Sequence, residues 1–398
     1  MKKNKFIKYK DIKIKIIFQL FEMYYYVIFK FKKRTNNIKA SKTSDINNIL
    51  VIRRDMIWDF IISLPSLVRI KIAFPKAKIH IIWTKWIKSI FNIIKEDFFE
   101  KIYLIDPNFW LPKFIRSKTQ YLQKNNWDSD DLNQIFKLKD EIDLWIDLRW
   151  DLFSLKLLND LNARKIISYN IWGWSFYIDE KVPFDKDLNE KNHDICLMDY
   201  IIDNYSSIKA TDIKTDLACI IKDWVIKRLD SGLKYICIQP GWWRWTFRRW
   251  PEEKYAELIK VIIWWRSELI IKLLCADSFE ELLCKRILNK ISNAEKVIIA
   301  KSEGWESTID IINSSVLFIG HDTSTAHLCD MLDHKWIILF WPWDRKLFAP
   351  NNKNIKILYH EFDCQPCEQR NCKFPDNSCM NHVSVDEIIG SISTLIGT

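Results

Sequence analysis

Glycine is nearly missing from this chain, with seven in 398 residues, where about 7% is usual. A large α/β protein so poor in glycine lacks the ordinary residues for left-handed helix caps and tight turns. Low-complexity tracts are absent too, so most of the chain is expected to fold, and its length suffices for two ordinary domains. The longest apolar candidate, Ile14–Phe31, is broken by Lys15, Gln19, Glu22 and Lys30. It falls short of the roughly 20 clean residues that span a bilayer. No small-residue cleavage site of a secretory signal follows it. An Asp-x-Asp pair in a loop suited to hold a divalent ion is likewise lacking. Asp128, Asp130 and Asp131 cluster, but in a polar stretch that reads as a solvated face.

What is abundant is equally unusual. Twenty tryptophans are present, four of them in the run QPGWWRWTFRRWPEEKY at 239–255. This turn opens with Pro240-Gly241, where small residues normally follow because the backbone bends sharply or approaches a ligand. Net charge is +10, and residues 1–34 alone carry eleven basic and two acidic side chains. The rest is near neutral, which argues against a nucleic-acid binder. A lysine-flanked, tyrosine-rich helix fits the surface of an anionic membrane; packing against the first domain is the alternative. The expected location is cytoplasmic, peripheral on the inner face of the cell membrane. Ten cysteines without a signal peptide point to reduced thiols.

Apolar runs alternate with helical spacing from Ile49 onward. Strands are expected at 49–52, 78–82, 101–105, 142–148 and 165–169, with helices through Pro65 to Phe74 and at 152–161. After a charged stretch at 179–215, helical only near Ile195–Tyr205, the alternation restarts at 235–239 and runs to 336–340, with a last helix at Ser384–Ile396. The pattern predicts two doubly wound α/β domains facing across a cleft. The divisions are a basic arm and linker at 1–48, a first domain at 49–210 and a second at 211–398. Ligands sit at the carboxyl ends of the strands in such sheets.

Three loops suit that cleft: VIRRDMIWDFIISLPSL at 51–67, the tryptophan-rich turn, and FIGHDTSTAHL at 318–328 followed by LFWPWDRKLFAP at 339–350. In this order the motifs resemble family 9 glycosyltransferases, the group that includes the lipopolysaccharide heptosyltransferases, from about Ile49 onward. The resemblance implies a GT-B-like, inverting enzyme that moves a sugar, heptose at family level, from a nucleotide diphosphate such as ADP-heptose to a saccharide or glycolipid acceptor. It assigns Asp59 as general base, since an attacking sugar hydroxyl must lose a proton; a helix-capping aspartate is the alternative. Donor-side residues are Arg53, Trp58, Gly241, Arg248, Asp322, Thr323, Ser324 and His327. Guanidinium forks match phosphate oxygens, and the helix start at Ser324 offers free N–H groups to a diphosphate. Ser324 stands where the family has glycine. No cofactor is required on this reading, and arginines with helix N-termini would stabilise the leaving diphosphate.

The resemblance also bears on the tryptophans. Trp58, Trp242, Trp243, Trp245 and Trp341 stand where similar proteins have small residues, mostly glycine, whereas Trp250 matches a tryptophan of the family. The codon UGA is read as Trp in some genetic codes and as Gly in another. A UGA recoding would therefore correct both composition anomalies together. A sugar-stacking aromatic surface is the rival explanation. With native tryptophans, a catalytically inactive saccharide-binding or scaffold protein gains ground. In the tail, Cys364, Cys367, Cys372 and Cys379 have the spacing C-x2-C-x4-C-x6-C. Structural zinc, free thiols and disulfides all fit that spacing.

Overall fold

The protein is described from a computed structural model covering residues 46–105, 129–149, 152–170, 177–226, 234–241, 248–292, 294–340, 344–350, 352–367, 372, 374 and 378–397. The expected amphipathic helix at 14–31 and Trp242, Trp243, Trp245 and Trp341 lie outside these residues.

Among the described residues, twelve strands form two six-stranded parallel sheets. The first contains β1 (Asn48–Ile52), β2 (Lys78–Thr84), β3 (Lys101–Ile105), β4 (Leu144–Asp147), β5 (Ile166–Tyr169) and β6 (Glu180–Val182), in the order β3-β2-β1-β4-β5-β6. The second contains β7 (Tyr235–Ile238), β8 (Ile270–Cys275), β9 (Val297–Lys301), β10 (Leu317–His321), β11 (Trp336–Leu339) and β12 (Ile355–Leu358). Its order, β12-β11-β10-β7-β8-β9, is the same topology read from the other edge. Both reverse direction beside their first strand, between β1 and β4 and between β7 and β10. Strands buried on both faces read as continuous Ile/Leu/Val runs, which is why these elements were legible.

The helices that position the site are α1 (Ile57–Ala73), α2 (Ser129–Leu138), α3 (Leu152–Asp160) and α4 (Glu190–Tyr205), then α5 (Glu252–Trp265), α6 (Ser278–Leu288), α7 (Trp305–Asn313), α8 (Ser324–Met331) and α9 (Val385–Ile396). The stretch at 179–215 is less irregular than expected. It supplies an edge strand, β6, and a 16-residue helix that starts at Glu190 instead of Ile195. Asn189 caps α4 by accepting from Lys191 N, a signal that charged composition obscured. Helix α4 packs along α1 through Leu197, Met198, Ile201 and Ile202, all fully buried. Of the polar stretch, Asp131 is structural: its carboxylate accepts from Leu104 N at 3.1 Å.

Candidate functional site

At the carboxyl end of β1 the chain turns into α1, and the charged residues there are buried. Asp59 is the third residue of α1, and one carboxylate oxygen accepts from Met56 N at 2.9 Å, closing the helix start. The other accepts from Arg53 Nη2 at 3.2 Å. Capping and ion pairing thus coexist in one side chain. Burial, and then Asp55, push the Asp59 carboxyl well above the usual carboxylate range; Arg53, Arg149 and the Met56 N–H oppose this.

Arg53 is 2% exposed, and its guanidinium is shared out among carboxylates. Nε donates to Asp55 at 3.0 Å, Nη1 to Asp194 and to Ser63 Oγ at 3.1 Å, and Nη2 to Asp59. Arg149, from the end of β4, meets the other oxygen of Asp55 at 3.1 Å. Burial alone would lower the Arg53 pKa, but Asp194, Asp59 and Asp55 reverse that and raise it. Its fork is turned inward, and it does not line the cleft cavity described next. Asp59, 4% exposed, also lies behind that wall.

The cavity, about 750 Å³, lies between the two halves. Met56, Trp58 and Ser89 line it from the first half. Gly241, Arg248, Asp322, Thr323, Ser324 and His327 line it from the second. Six of the eight donor-side residues named from the motif loops therefore share one wall with Trp58, while Arg53 stays outside. Thr323 occupies the N-cap position of α8 in extended geometry without a side-chain cap bond. Ser324 and Thr325, in the first turn, line the cavity. A helix start of this kind favours an anion through its N–H groups and its dipole. His327 Nε2 lies 3.3 Å from Asp322 Oδ1. Thr323 and Thr325 share a hydroxyl contact of 2.7 Å, and Thr325 donates to Gln239, which is a further lining residue at the end of β7.

Arg248 is 3% exposed, and burial pushes its guanidinium down to about 9, opposed by Cys367 and Asp322. Arg249 points elsewhere, its guanidinium 4.9 Å from the Phe279 ring. Trp250 holds this turn in place. Its backbone N–H donates to His321 Nε2 at 3.1 Å and its indole N–H to Val383 O at 3.0 Å. Burial, with Arg249 beside it, lowers the His321 pKa to about 3, so that ring is a neutral acceptor. Gly241 faces the Glu280 carboxylate so closely that a Cβ would stand 2.5 Å from it. Glu280, in the first turn of α6 after β8, and Ser302, Glu303 and Gly304, from the loop after β9, also line the cavity. Sequence reasoning missed them, although the rule that ligands gather at strand carboxyl ends applies to those segments equally.

Trp58 stands in the cavity wall, stacked on His327 with ring centroids 5.8 Å apart and edge-on to Phe348 at 6.0 Å. Cys364, Cys367, Cys372 and Cys379 are all free thiols, and no group of three or more metal-holding side chains occurs among the described residues. The disulfide reading of their spacing is corrected accordingly. No helix among the described residues is long and apolar enough to cross a membrane.

Residues 206–377 match the model of glycosyltransferase family 9 (heptosyltransferase). Two curated relatives, the lipooligosaccharide heptosyltransferases 2 of Campylobacter jejuni serotypes O:6 and O:2, are each 26% identical. They align over 219 and 220 residues, which is 53% and 54% of this chain and 67% of each relative. Among solved structures, E. coli heptosyltransferase WaaC with ADP has a TM-score of 0.66 at 17% identity, covering 87% of this chain and 99% of that one. The family 9 glycosyl transferase from Veillonella parvula has a TM-score of 0.65 at 13% identity, covering 89% and 99%. With two doubly wound halves and a cavity between their switch points, the chain has the GT-B architecture of these structures, and its residues 206–377 are similar to glycosyltransferase family 9.

Proposed function

We propose that the protein transfers a heptosyl group from ADP-heptose to a lipopolysaccharide-like saccharide acceptor, with inversion, at the membrane's inner surface. The observation that carries this is the cavity at the start of α8, which combines Arg248, Asp322 and His327 with first-turn hydroxyls beside the buried Asp59. E. coli WaaC has been solved with ADP and with ADP-2-deoxy-2-fluoro heptose, and the Campylobacter relatives are heptosyltransferases. In the proposed reaction an acceptor hydroxyl gives its proton to Asp59 and bonds to the anomeric carbon. The bond from that carbon to the diphosphate breaks, and the diphosphate leaves with the electron pair. Arg248 and the α8 N-terminus balance the charge that develops there. A donor screen with radiolabelled nucleotide sugars tests this. Transfer from ADP-heptose to a truncated lipopolysaccharide core is expected, and equal or better transfer from a uridine-linked hexose would overturn the donor assignment. Residues 1–34 would supply the surface contact, so their deletion should abolish binding to anionic vesicles.

The same proposal places glycine, through UGA recoding, at Trp58 and the other turn tryptophans of the natural polypeptide. In support, Trp83, Trp145 and Trp336 are fully buried, yet their indole N–H groups find no acceptor among the described residues. A hydrogen bond left unmade in this way costs about 1–3 kcal/mol. Trp250, the family's own tryptophan, has its partner. The second reading, an inactive saccharide-binding relative, is favoured by one observation, the indole of Trp58 in the donor cavity. Peptide sequencing of the natural protein across residue 58 separates the two.

A further inference from the structure

Arg53 is the cation nearest to Asp59, and its orientation is set from another element. Asp194, on α4, is 0% exposed and lies 141 residues away in sequence. One of its oxygens takes Arg53 Nη1 and also accepts from the Ser63 hydroxyl at 2.5 Å. Ser63 is one turn along α1 from Asp59 and accepts from the same Nη1 at 3.1 Å. The three parts of the fork thus have one carboxylate each: Asp55 at Nε, Asp194 at Nη1 and Asp59 at Nη2. A planar fork held at two of its three parts has no freedom to turn its third away.

Helix α4 is a fixed anchor because it is tied to both halves. Lys191 Nζ reaches Asp330 Oδ2 on α8 at 3.0 Å, and Asn189 Nδ2 donates to Ala349 O at 2.9 Å. Asp194 follows Lys191 by three residues on the same helix, so the two lie on neighbouring positions of one face. The helix that starts at the donor cavity and the helix that clamps Arg53 are therefore joined directly.

We infer that Asp194 is a positioning residue for transfer, holding the Arg53 guanidinium in the orientation that keeps Asp59 ionised. This rests on Asp59 being the base. The charged groups around the pair are Asp55, Arg149, Asp194 and Glu190, with His193 adjacent to Asp194 on α4. Without the Asp194 carboxylate, Nη1 keeps only the neutral Ser63 hydroxyl and Asp55 alone anchors the fork by charge, so the hold on Nη2 loosens and burial raises the proton affinity of Asp59 further.

The test is the pH profile of transfer in three full-length variants. Asp194→Leu keeps the buried volume and removes the acceptor. Its expected result is a turnover about tenfold lower, with the acid limb moved up by about one pH unit and the donor KM unchanged. Asp194→Asn, which retains an acceptor oxygen toward Nη1, should recover most of the loss and return the limb toward its original place. A Leu variant that folds and binds donor with an unmoved acid limb would overturn the proposal. So would an Asn variant no better than Leu. Asp59→Asn, run alongside, keeps the failures apart: normal turnover there removes the base assignment, whereas an unmoved limb in Asp194→Leu removes only the positioning role.

Discussion

The two halves share one strand order and use it for opposite purposes. At the first reversal point, between β1 and β4, the crevice is filled by charged side chains of the chain itself: Arg53, Asp55, Asp59, Arg149 and Asp194. At the second, between β7 and β10, it is left open, lined by Gln239, Asp322 and the first turn of α8. Topology delivers a crevice at both places. Residue choice decides whether the crevice is filled with ion pairs of the chain itself or left open as a cavity.

The largest effect should come from the filled side. Asp59→Asn is expected to leave folding and donor binding nearly intact while transfer falls roughly 10²–10⁴-fold. Near-normal turnover in a transfer assay would remove Asp59 from the mechanism. The raised Asp59 pKa has a matching consequence. A base must be ionised, so turnover should fall as pH drops through a value above the ordinary carboxylate range. A profile flat down to pH 4 would contradict the burial argument.

On the open side, the turn that carries Arg248 depends on Trp250, which is 2% exposed and edge-on to Tyr255 at 4.9 Å. Trp250→Gly removes that volume and the bond to Val383, and should cost about 3–5 kcal/mol in a denaturant titration. Loss of less than 1 kcal/mol would show that the turn is held by other contacts.

Much of this contrast was legible in the sequence, and the reason is local. The loops after β1, β7 and β10 announce themselves by short-range patterns, and α8 begins where Asp322-Thr323-Ser324 predicts a helix start. The inward turn of Arg53 was not legible, because it depends on Asp194, whose approach requires knowing that α4 packs on α1. Glu280 and Ser302 were missed for a related reason. Nothing in their own segments marks them, and only the strand order brings β8 and β9 beside β7.

A smaller change is expected at Arg248. On the proposed donor site, replacing it with Ala removes one charge-assisted contact to the diphosphate, about 1.5–3 kcal/mol, and should weaken nucleotide binding roughly 10–100-fold with turnover at saturation less affected. Calorimetry with ADP measures it. An unchanged Kd would mean that the α8 N-terminus and Asp322 side of the cavity bind the nucleotide without this arginine.

The smallest single effect, and the one that sharpens the comparison most, concerns Trp58. Its indole lies at the border of the filled and open sides, in the cavity wall next to Asp59 and stacked on His327. Among the described residues of the first half, Trp58 is the one tryptophan on the cavity, and the family resemblance puts glycine there. Trp58→Gly should therefore enlarge the opening beside Asp59 and raise ADP affinity by up to about tenfold, or roughly 1.4 kcal/mol. Some helix stability is lost in exchange, because glycine costs about 1 kcal/mol in a helix interior and position 58 lies in the first turn of α1. A modest fall in melting temperature with a gain in affinity is the signature of a residue that fits the helix and not the ligand. A fall in both would mean that the stack on His327 organises the donor side, and the tryptophan would then belong to the native enzyme.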